Sequence, residues 1–206
     1  SSALTEGMRA DARKILGGDV DIRLSHRQAS VEQLAWMRAR GQVSGIAQMR
    51  SLARKGDTHT LVEIKAVDDA YPLFGVLKLS QGISLAKALE KQEGAWGAAV
   101  DQPLLLKLGV KVGDHIWVGD IDIRIAATIM REPDRAASVF TIGQRLLIGF
   151  DALNASDLVK PGSLVRYHYR VGIADRTEVE NWRKEIDAAF PSAGWRIRDT
   201  RNAAPG

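Results

Sequence analysis

The chain has 206 residues, of which 45% are hydrophobic and 26% are charged, a composition typical of folded proteins that excludes an intrinsically disordered chain. Lys and Arg number 29 against 25 Asp and Glu, and because the two signs alternate along most of the sequence, the net charge of +4 does not predict the basic stripe of a nucleic-acid-binding protein. The lack of cysteine excludes disulfides and thiolate chemistry.

The beginning of the chain predicts a helix followed by a β-α-β unit. The predicted elements are a helix at 4–16, a strand at 19–25, a helix at 31–40 and a strand at 42–54. One side of the first helix is apolar and carries Leu4, Met8, Ala12 and Ile15. Ser30 and Gln33 have the spacing of a capping box, which predicts where the second helix starts.

The middle of the chain has short apolar segments separated by turn residues, which is typical of a small β-rich unit. Gly119 and Asp120 join two alternating segments and predict a tight hairpin, and Gly109 ends a short predicted helix. The second hairpin strand has a continuous inner face of Ile121, Ile123, Ile125, Ala127 and Ile129.

The end of the chain repeats the β-α-β order. The predicted strand at 163–173 places Val165, Tyr167, Tyr169 and Val171 on one face and Arg166, His168 and Arg170 on the other. Thr177 and Glu180 have the spacing of a second capping box before a helix, and residues 195–200 predict the closing strand.

Together these elements predict an α+β fold. The two terminal β-α-β units can pair into one split, ferredoxin-like sheet covered by two helices, with the β-rich unit inserted between them. The predicted boundaries are 1–57 for the first half of the split subdomain, 58–158 for the insertion and 159–206 for the second half.

The sequence contains no apolar run that approaches the roughly 20 residues needed to cross a bilayer. Its first residues also lack the apolar core of a signal peptide. We therefore expect the chain as given to be soluble, and we expect it to be part of a longer protein if it acts outside the cytoplasm.

Ser84, in the segment GISLA, is the candidate for a catalytic nucleophile. The segment is one residue short of the G-x-S-x-G motif of serine hydrolases, and Asp134 and His168 follow in the order that these enzymes use. Ser84 also stands directly before a predicted helix at 85–91, where serine is a common cap. The cap is the favoured interpretation, and a serine hydrolase is kept as an alternative.

Metal and cofactor chemistry has little support in the sequence. The four histidines, at positions 26, 59, 115 and 168, lack ligand spacing, and the glycine-rich loops of nucleotide-binding proteins are missing. We predict no metal site and no cofactor. The pairs Asp19/Asp21 and Asp120/Asp122 border glycine-containing turns, and hydrogen bonding in those turns is the favoured interpretation.

The segment REPDRA, at 131–136, concentrates four charged side chains. Pro133 cannot donate a hydrogen bond to a sheet, and aspartate favours a turn, so the backbone is expected to leave the sheet here. The charges of Arg131, Glu132, Asp134 and Arg135 balance, which favours a solvated loop. Contact with a partner protein is our hypothesis for these four residues.

Four stretches of the sequence carry a resemblance to a known family. They are LGGDVDIRLSHR near the start, VEIKAVDDAYPLFG in the middle, GAWGAAVDQPLLLKLGVKVGDHIWVGDIDIRIAATIMREPDRA after it and RNAAPG at the end. Through them the chain resembles the extracytoplasmic domains of FtsX/MacB-like ABC transporter permeases, and among these the YbbP-type permeases. KAVDDAYPLFG and REPDRA are fairly specific to this subfamily, whereas LGVKVGDHIWVG is common in the wider family.

The resemblance implies a porter-like subdomain made from both chain ends, with a small Sabre-like subdomain inserted. It implies that the helix at 4–16 is a stalk continuing from one membrane span and that RNAAPG leads into the next. The domain would then lie in the periplasm as part of a bacterial inner-membrane protein.

The resemblance also implies a non-catalytic domain without cofactors. A cytoplasmic ABC ATPase would move the membrane helices, and the motion would reach the domain through two stalks. The domain would act on a hydrophobic or lipid-like substrate or on a periplasmic partner, for which a lysophospholipase or esterase is implied, and the full permease would be dimeric. Two alternatives come from other classes: a secreted serine hydrolase using Ser84, and a basic nucleic-acid-binding module.

Overall fold

The computed structural model describes residues 2–137 and 143–203. Its strands are β1 (Val20–Ser25), β2 (Gln42–Lys55), β3 (Thr58–Val67), β4 (Lys78–Leu79), β5 (Trp96–Val100), β6 (His115–Val118), β7 (Ile121–Arg131), β8 (Gln144–Gly149), β9 (Arg166–Gly172) and β10 (Arg196–Asp199). Its helices are α1 (Ser2–Leu16), α2 (Val31–Arg38), α3 (Leu85–Ala88), α4 (Gln102–Leu108), α5 (Phe150–Ala155), α6 (Val179–Ala189) and α7 (Thr200–Ala203). Within these ranges, every helix is too short or too polar to cross a membrane.

The strands form one continuous sheet in the order β10-β1-β9-β2-β3-β8-β5-β7-β4, and β6 pairs with both β2 and β7. The four strands from the two chain ends, β10, β1, β9 and β2, are neighbours and all antiparallel, as the ferredoxin-like arrangement predicts. Parallel pairs occur between β3 and β8 and between β5 and β7. The α+β class is confirmed, whereas the boundaries at 57/58 and 158/159 stay a prediction, because β2 and β3 pair across the first of them.

One face of the terminal strands is apolar and is covered by α2 and α6. Trp36 of α2 and Trp182 of α6 meet edge to face, with ring centroids 5.3 Å apart, and Phe190 lies 6.3 Å from Trp36. The alternation in β9 places Tyr167 and Tyr169 on this face, as predicted, where both are buried. Such aromatic contacts add to the stabilisation from burial alone.

The other face of the sheet is covered only in part. Tyr71 and Leu79 pack there on Ile46, Val67 and Leu147 in a second apolar cluster. Beside this cluster, the same face carries charged side chains of β1, β3, β8 and β9. Residues two apart on a strand share a face, so the register of the sheet brings these charges together.

The predicted first helix is α1, but the first half of its predicted apolar side is exposed, whereas Ala12 and Ile15 are half-buried. Leu4 and Met8 are 66% and 65% exposed, and Leu16 is the residue of α1 that is buried. Gly17, at φ 86°, ends the helix and turns the chain into β1. The first and last helices, α1 and α7, contact each other. Residues 204–206 of RNAAPG lie outside the described residues.

Local predictions from capping patterns had mixed success. The capping box of Ser30 and Gln33 is present at the start of α2, and the hairpin between β6 and β7 forms at the predicted turn. The capping box predicted at Thr177 is wrong, because the Asp175 side chain accepts the hydrogen bond from the Thr177 N–H and starts a 3-10 turn before α6. An acceptor two residues upstream therefore replaces the predicted cap.

A buried charge network as the candidate functional site

The described residues contain an unusual number of buried charged side chains on the second face of the sheet. Those with side chains at most 2% exposed are Asp19, Asp21, Lys65, Glu132, Asp134, Arg145 and Arg170. A buried charge is costly unless it is paired and hydrogen-bonded. The contacts of these groups therefore decide whether the fold is stable.

Lys65, on β3, holds two carboxylates of the segment after β7. Its Nζ atom lies 2.9 Å from Oε2 of Glu132 and 2.9 Å from both carboxylate oxygens of Asp134. The hydroxyl of Tyr71 donates to Oδ1 of Asp134 over 2.6 Å. The segment 132–134 is thereby fastened to β3.

Asp21, on β1, is a second centre of the network. Its carboxylate accepts from Nε of Arg170 at 2.7 Å and from Nη2 of Arg198 at 3.1 Å, and it lies 3.0 Å from Nδ1 of His168. The three partners come from the neighbouring strands β9 and β10. Asp21 thus joins three strands that belong to the two ends of the chain.

Arg170 connects the two centres and also reaches α1. Its Nε donates to Asp21, while its Nη1 donates to Oδ2 of Asp134 at 2.9 Å and to the carbonyl oxygen of Leu16 at 2.6 Å. Leu16 is the last residue of α1. One guanidinium therefore ties the end of α1 to the split sheet and to the segment after β7.

The network continues on the opposite side of Glu132. The Nε atom of Arg145 on β8 donates to Oε1 of Glu132 at 3.0 Å. Arg135 donates to the same oxygen at 3.1 Å and to Oδ2 of Asp101 at 3.1 Å. Asp101 also accepts the backbone N–H of Arg145. This side links the segment after β7 to β8 and to the start of α4.

Asp19 anchors the junction between α1 and β1. Its carboxylate lies 2.8 Å from Nε of Arg13 and accepts the backbone N–H of Ile173 at 2.7 Å. The guanidinium of Arg13 lies over the ring of Phe74, 4.0 Å from its centroid, which adds a cation–π contact. The last turn of α1 therefore has two charged connections to the sheet, through Arg13 and through Leu16.

The carboxylates of Asp21 and Asp134 remain ionised. Burial alone would raise the pKa of Asp134, but the charges of Lys65 and Arg170 outweigh burial and hold the pKa of this carboxyl well below its usual value. Burial of Asp21 is likewise outweighed by its contacts with His168, Arg170 and Arg198, so its pKa is also low.

Burial shifts the pKa values of the two donors next to Asp134 in different directions. Burial lowers the pKa of Lys65, although Asp134 and Glu132 oppose this effect. Burial and the neighbouring Asp134 raise the pKa of Tyr71, so its hydroxyl stays protonated and donates. Lys65 and Tyr71 are both bonded to carboxylates of the network, which suits a role in holding the fold together better than acid–base catalysis.

The structure corrects the interpretation of residues 131–135 as a solvated loop. Glu132 and Asp134 are buried, because Lys65, Arg145 and Arg170 offer them charged partners on the sheet. Arg131 ends β7 and is exposed, and the side chain of Arg135 is 40% exposed. Partner contact by the four residues stays a prediction, for which Arg131 and Arg135 offer the exposed surface.

The turn interpretation of Asp19 and Asp21 is also wrong. Both are buried and form ion pairs with arginine side chains, Asp19 with Arg13 and Asp21 with Arg170. A signal for Asp21 was present in the sequence, since it and Arg170 lie on the polar faces of two alternating strands. Opposite charges on polar faces of strands predicted to be neighbours could have indicated the pair. Lys65 and Arg145 gave no such signal, because their partners come from an irregular segment.

Ser84 does not meet the other two residues of the hydrolase alternative. Its hydroxyl accepts the backbone N–H of Lys87 and caps α3, as the favoured interpretation predicted. His168 binds Asp21, and Asp134 binds Lys65, Tyr71 and Arg170. A nucleophile needs a base within hydrogen-bond reach, and the base candidate here is bound to another carboxylate.

Histidines and carboxylates do not gather into a metal site within residues 2–137 and 143–203, where groups of three or more possible ligands do not occur. His115 pairs with Asp122 at 2.8 Å, and His26 lies 3.3 Å from the carbonyl oxygen of Ser163. Buried His168 has a lowered pKa, caused by burial against the opposing effect of Asp21, so its neutral ring serves as a hydrogen-bond partner.

Comparison with known proteins finds no matching family model. The sequence is 31% identical over 173 residues to the uncharacterized ABC transporter permease YbbP of Escherichia coli K12. The match covers 84% of this chain and 20% of that permease, so the chain spans about a fifth of its relative.

Two solved structures have a similar fold. The periplasmic region of MacB from Actinobacillus actinomycetemcomitans superimposes with a TM-score of 0.62 at 9% identity, covering 95% of each chain. The extracellular domain of the ABC-type transporter YknZ from Gram-positive bacteria gives a TM-score of 0.59 at 10% identity, covering 87% of this chain and all of the other. At such low sequence identity, these similarities show that the three domains share a fold.

Proposed function

We propose that this chain is the periplasmic domain of an ABC transporter permease of the YbbP type and that it transmits motion from the membrane to a periplasmic load. Its similarity to the permease YbbP and the fold that it shares with the periplasmic region of MacB support this proposal. The load is a hydrophobic or lipid-like substrate or a partner protein. The domain itself makes and breaks no covalent bonds. ATP hydrolysis takes place in a separate cytoplasmic ATPase subunit.

The observation that carries this proposal is the attachment of α1 to the buried network. The carbonyl oxygen of Leu16 and the side chain of Arg13 are both held by charged groups of the sheet. A displacement of α1 therefore acts on Arg170 and Asp19 directly. Buried, well-packed groups have discrete arrangements and do not yield gradually, which suits the transmission of force.

The second support is the position of the two chain ends. α1 and α7 lie side by side, and β1 and β10, which adjoin them, pair through Val20 and Asp199. Two stalks entering at one place can move relative to each other and shear the strands between them. In our proposal this relative motion is the input that ATP provides.

The finer features of the proposal follow from the resemblance to YbbP-type permeases. They are a dimeric full-length permease, a periplasmic lysophospholipase or esterase as partner, and a lipid-like substrate. Two other classes of function have less support: Ser84 acts as a helix cap, and Lys65, Arg145 and Arg170 are paired with acidic residues inside the protein.

The experiment that tests the proposal measures distances in the full-length permease with its ATPase in lipid nanodiscs. The chain has no cysteine of its own, so Glu6→Cys on α1 and Lys111→Cys before β6 can carry two spin labels within it. Pulsed electron paramagnetic resonance is expected to show different distance distributions without nucleotide and after trapping with ATP and vanadate. Identical distributions would refute the coupling.

A matched control uses labels that the proposal expects to stay at a fixed distance. Glu32→Cys on α2 and Glu185→Cys on α6 are exposed, and their helices pack on the same face of the sheet. Their distance should remain the same in both nucleotide states. A change in this pair as large as in the first would indicate general loosening of the domain.

A further inference from the structure

Four arginines lie close together on the charged face, and two of them, Arg166 and Arg196, are exposed among the residues that the structure describes. Arg23 on β1 is directly opposite Arg196 on β10, and Arg198 is opposite Asp21 in the same ladder. Arg166 on β9 is opposite Ser25, diagonally across from Arg23. Like charges directly opposite each other on neighbouring strands destabilise a sheet. This cluster, Arg23, Arg166, Arg196 and Arg198, is called the arginine cluster below.

The carboxylates of the protein neutralise the arginine cluster only in part. Arg198 binds Asp21, but Asp21 is shared with Arg170 and His168. The side chains of Arg23 and Arg196 make no hydrogen bond or ion pair to any residue within 2–137 and 143–203. Burial and then the charges of Arg196, Arg166 and Arg198 lower the pKa of Arg23, which reflects this crowding. A set of guanidinium groups that repel one another and face solvent is a favourable site for an anion.

A cavity of about 530 Å³ begins at the arginine cluster, and Arg166 lines both. Its wall also includes Met49, Arg50, Glu63 and Leu164. Leu164 is 79% exposed, a large apolar side chain at a basic rim. The volume is within the range of sites that bind small molecules.

The rim of the cavity contains a strained backbone position. His26 has φ 70°, in the left-handed region that residues with a side chain rarely adopt, and its ring lies 3.3 Å from the carbonyl oxygen of Ser163. Strain of this kind is concentrated at functional sites, where the surrounding structure maintains it. It fixes the approach of the chain before β9 to the end of β1.

Glu63 places a negative charge on the cavity wall, in contrast to the positive arginine cluster. Its carboxylate lies 3.5 Å from Nε of Arg50 on the cavity wall. Burial raises the pKa of Glu63, against the opposing charges of Arg145, Arg50 and Arg166. A negative group in the ligand would be repelled from this wall and attracted to Arg23 and Arg196. An apolar group would find Leu164 at the rim of the cavity.

From this arrangement we infer a binding site for an amphiphile with an anionic head, a phosphate or a carboxylate. The head contacts Arg23, Arg166 and Arg196, and the apolar chain lies along Leu164. The inference rests on the proposed function in one respect, since it assigns the substrate class. Binding can be measured on the 206-residue chain alone, without membrane or ATPase.

The test titrates the 206-residue chain with dodecyl phosphate, below its critical micelle concentration, by isothermal titration calorimetry. We expect saturable binding of one molecule per chain and much weaker binding of dodecyl maltoside, which has the same chain without the charge. The variant Arg23→Gln/Arg196→Gln should bind dodecyl phosphate about tenfold more weakly, because it removes two charge-assisted contacts. The variant Leu164→Ser should weaken the binding of dodecyl phosphate and leave the binding of inorganic phosphate unchanged.

The matched control is Arg9→Gln/Arg176→Gln, which removes the same charge from α1 and from the turn before α6. It should bind dodecyl phosphate within about twofold of the unchanged chain, a difference of about half a kcal/mol. Circular dichroism verifies that all variants are folded. An equal loss of affinity for dodecyl phosphate in the control variant would mean that net charge alone explains the effect, and it would overturn the proposed site.

Three other results would overturn the inference. Equal binding of dodecyl phosphate and dodecyl maltoside would show a purely apolar site, and equal binding of inorganic phosphate and dodecyl phosphate would show a site for free anions. Binding of a hexaglutamate peptide without binding of dodecyl phosphate would assign the arginine cluster to an acidic protein. If dodecyl phosphate does not bind but the Glu6–Lys111 distance still responds to ATP, only the inferred substrate class is wrong. If dodecyl phosphate binds but this distance does not respond to ATP, only the proposed coupling is refuted.

Discussion

Arg170 and Asp134 form a buried ion pair between distant parts of the chain, with Nη1 of the arginine 2.9 Å from Oδ2 of the aspartate. Both side chains are 2% exposed. Arg170 lies on a strand from the end of the chain, whereas Asp134 follows β7 in its middle. Since the same guanidinium also holds Asp21 and the end of α1, this pair completes the connection between α1, the strands β1 and β9 and the segment after β7.

The first prediction concerns the stability that Arg170 provides. Arg170→Gln leaves Asp21 and Asp134 with fewer charged partners, and breaking a buried pair in this way costs about 3–5 kcal/mol. Urea unfolding followed by circular dichroism measures the loss. Arg131→Gln removes an arginine from the exposed end of β7 and should change the free energy of unfolding by about 0.5 kcal/mol or less. Equal effects of the two variants would contradict the role of Arg170.

The fold could be predicted from the sequence wherever a pattern is local. Alternation in β1, β7 and β9, the cap at Ser30 and the hairpin turn at Gly119 each follow from neighbouring residues, and each was predicted correctly. The exposed side of α1 was not, because the amphipathic pattern of Leu4 and Met8 indicates a helix without showing what covers it. Packing depends on elements far away in the chain.

The site was harder to predict, because its charges meet only in three dimensions. The balanced charges of Glu132 and Arg135 resemble those of a surface loop, and their sequence does not show that Lys65 and Arg145 lie on the neighbouring strands. The alternation of β3 and β8 fixes which face each cation occupies. The path of the segment after β7 over that face follows from the whole fold.

The second prediction concerns acid. The folded-state pKa values of Asp21 and Asp134 lie below their ordinary value of 3.8, so each contributes stability that is fully present above that value and is lost as the pH falls through the folded-state pKa. The free energy of unfolding should therefore fall steeply between about pH 5 and pH 2. Asp134→Asn should have a shallower slope in this range, measured by urea unfolding at several pH values. An unchanged slope would mean that Asp134 is not held ionised in the folded protein.

The third prediction separates a cap from a nucleophile at Ser84. Ser84→Ala removes the acceptor of the Lys87 N–H and should cost about 1 kcal/mol of stability. Ser192→Ala, at an exposed position outside the helices, should change stability by less than about 0.5 kcal/mol. Both variants are compared with the unchanged chain for hydrolysis of p-nitrophenyl butyrate. Turnover that Ser84→Ala alone abolishes would reinstate the hydrolase alternative.

The fourth prediction concerns the joint after α1. Gly17 has φ 86°, and a Cβ atom there would overlap Nη1 of Arg170. Gly17→Ala should therefore lower the stability of the protein by roughly 1 kcal/mol through left-handed strain, and by more because the displaced Arg170 loses its contacts. Gly82→Ala is the matched control, since Gly82 has φ 65° but open space around its Cβ position. Thermal unfolding should show the larger decrease for Gly17→Ala, and equal decreases would mean that Arg170 moves aside without cost.

The last prediction measures how strongly Lys65 and Asp134 depend on each other. Lys65→Met leaves Glu132 and Asp134 without their shared cation, and Asp134→Asn leaves Lys65 with one carboxylate, so each single change should destabilise the protein by several kcal/mol, about 3–5 for the lysine. The double variant removes both charges and should cost less than the sum of the two, by about 1–3 kcal/mol in a double-mutant cycle measured by urea unfolding. Asn at 134 keeps an oxygen for the Tyr71 hydroxyl, which limits the loss.

A control cycle of Lys65→Met with Asp151→Asn, an exposed position in α5, should be additive within about 0.5 kcal/mol. Additivity in both cycles would mean that the contact between Lys65 and Asp134 contributes nothing of its own, and that burial of the lysine stem alone fastens the segment after β7 to the sheet.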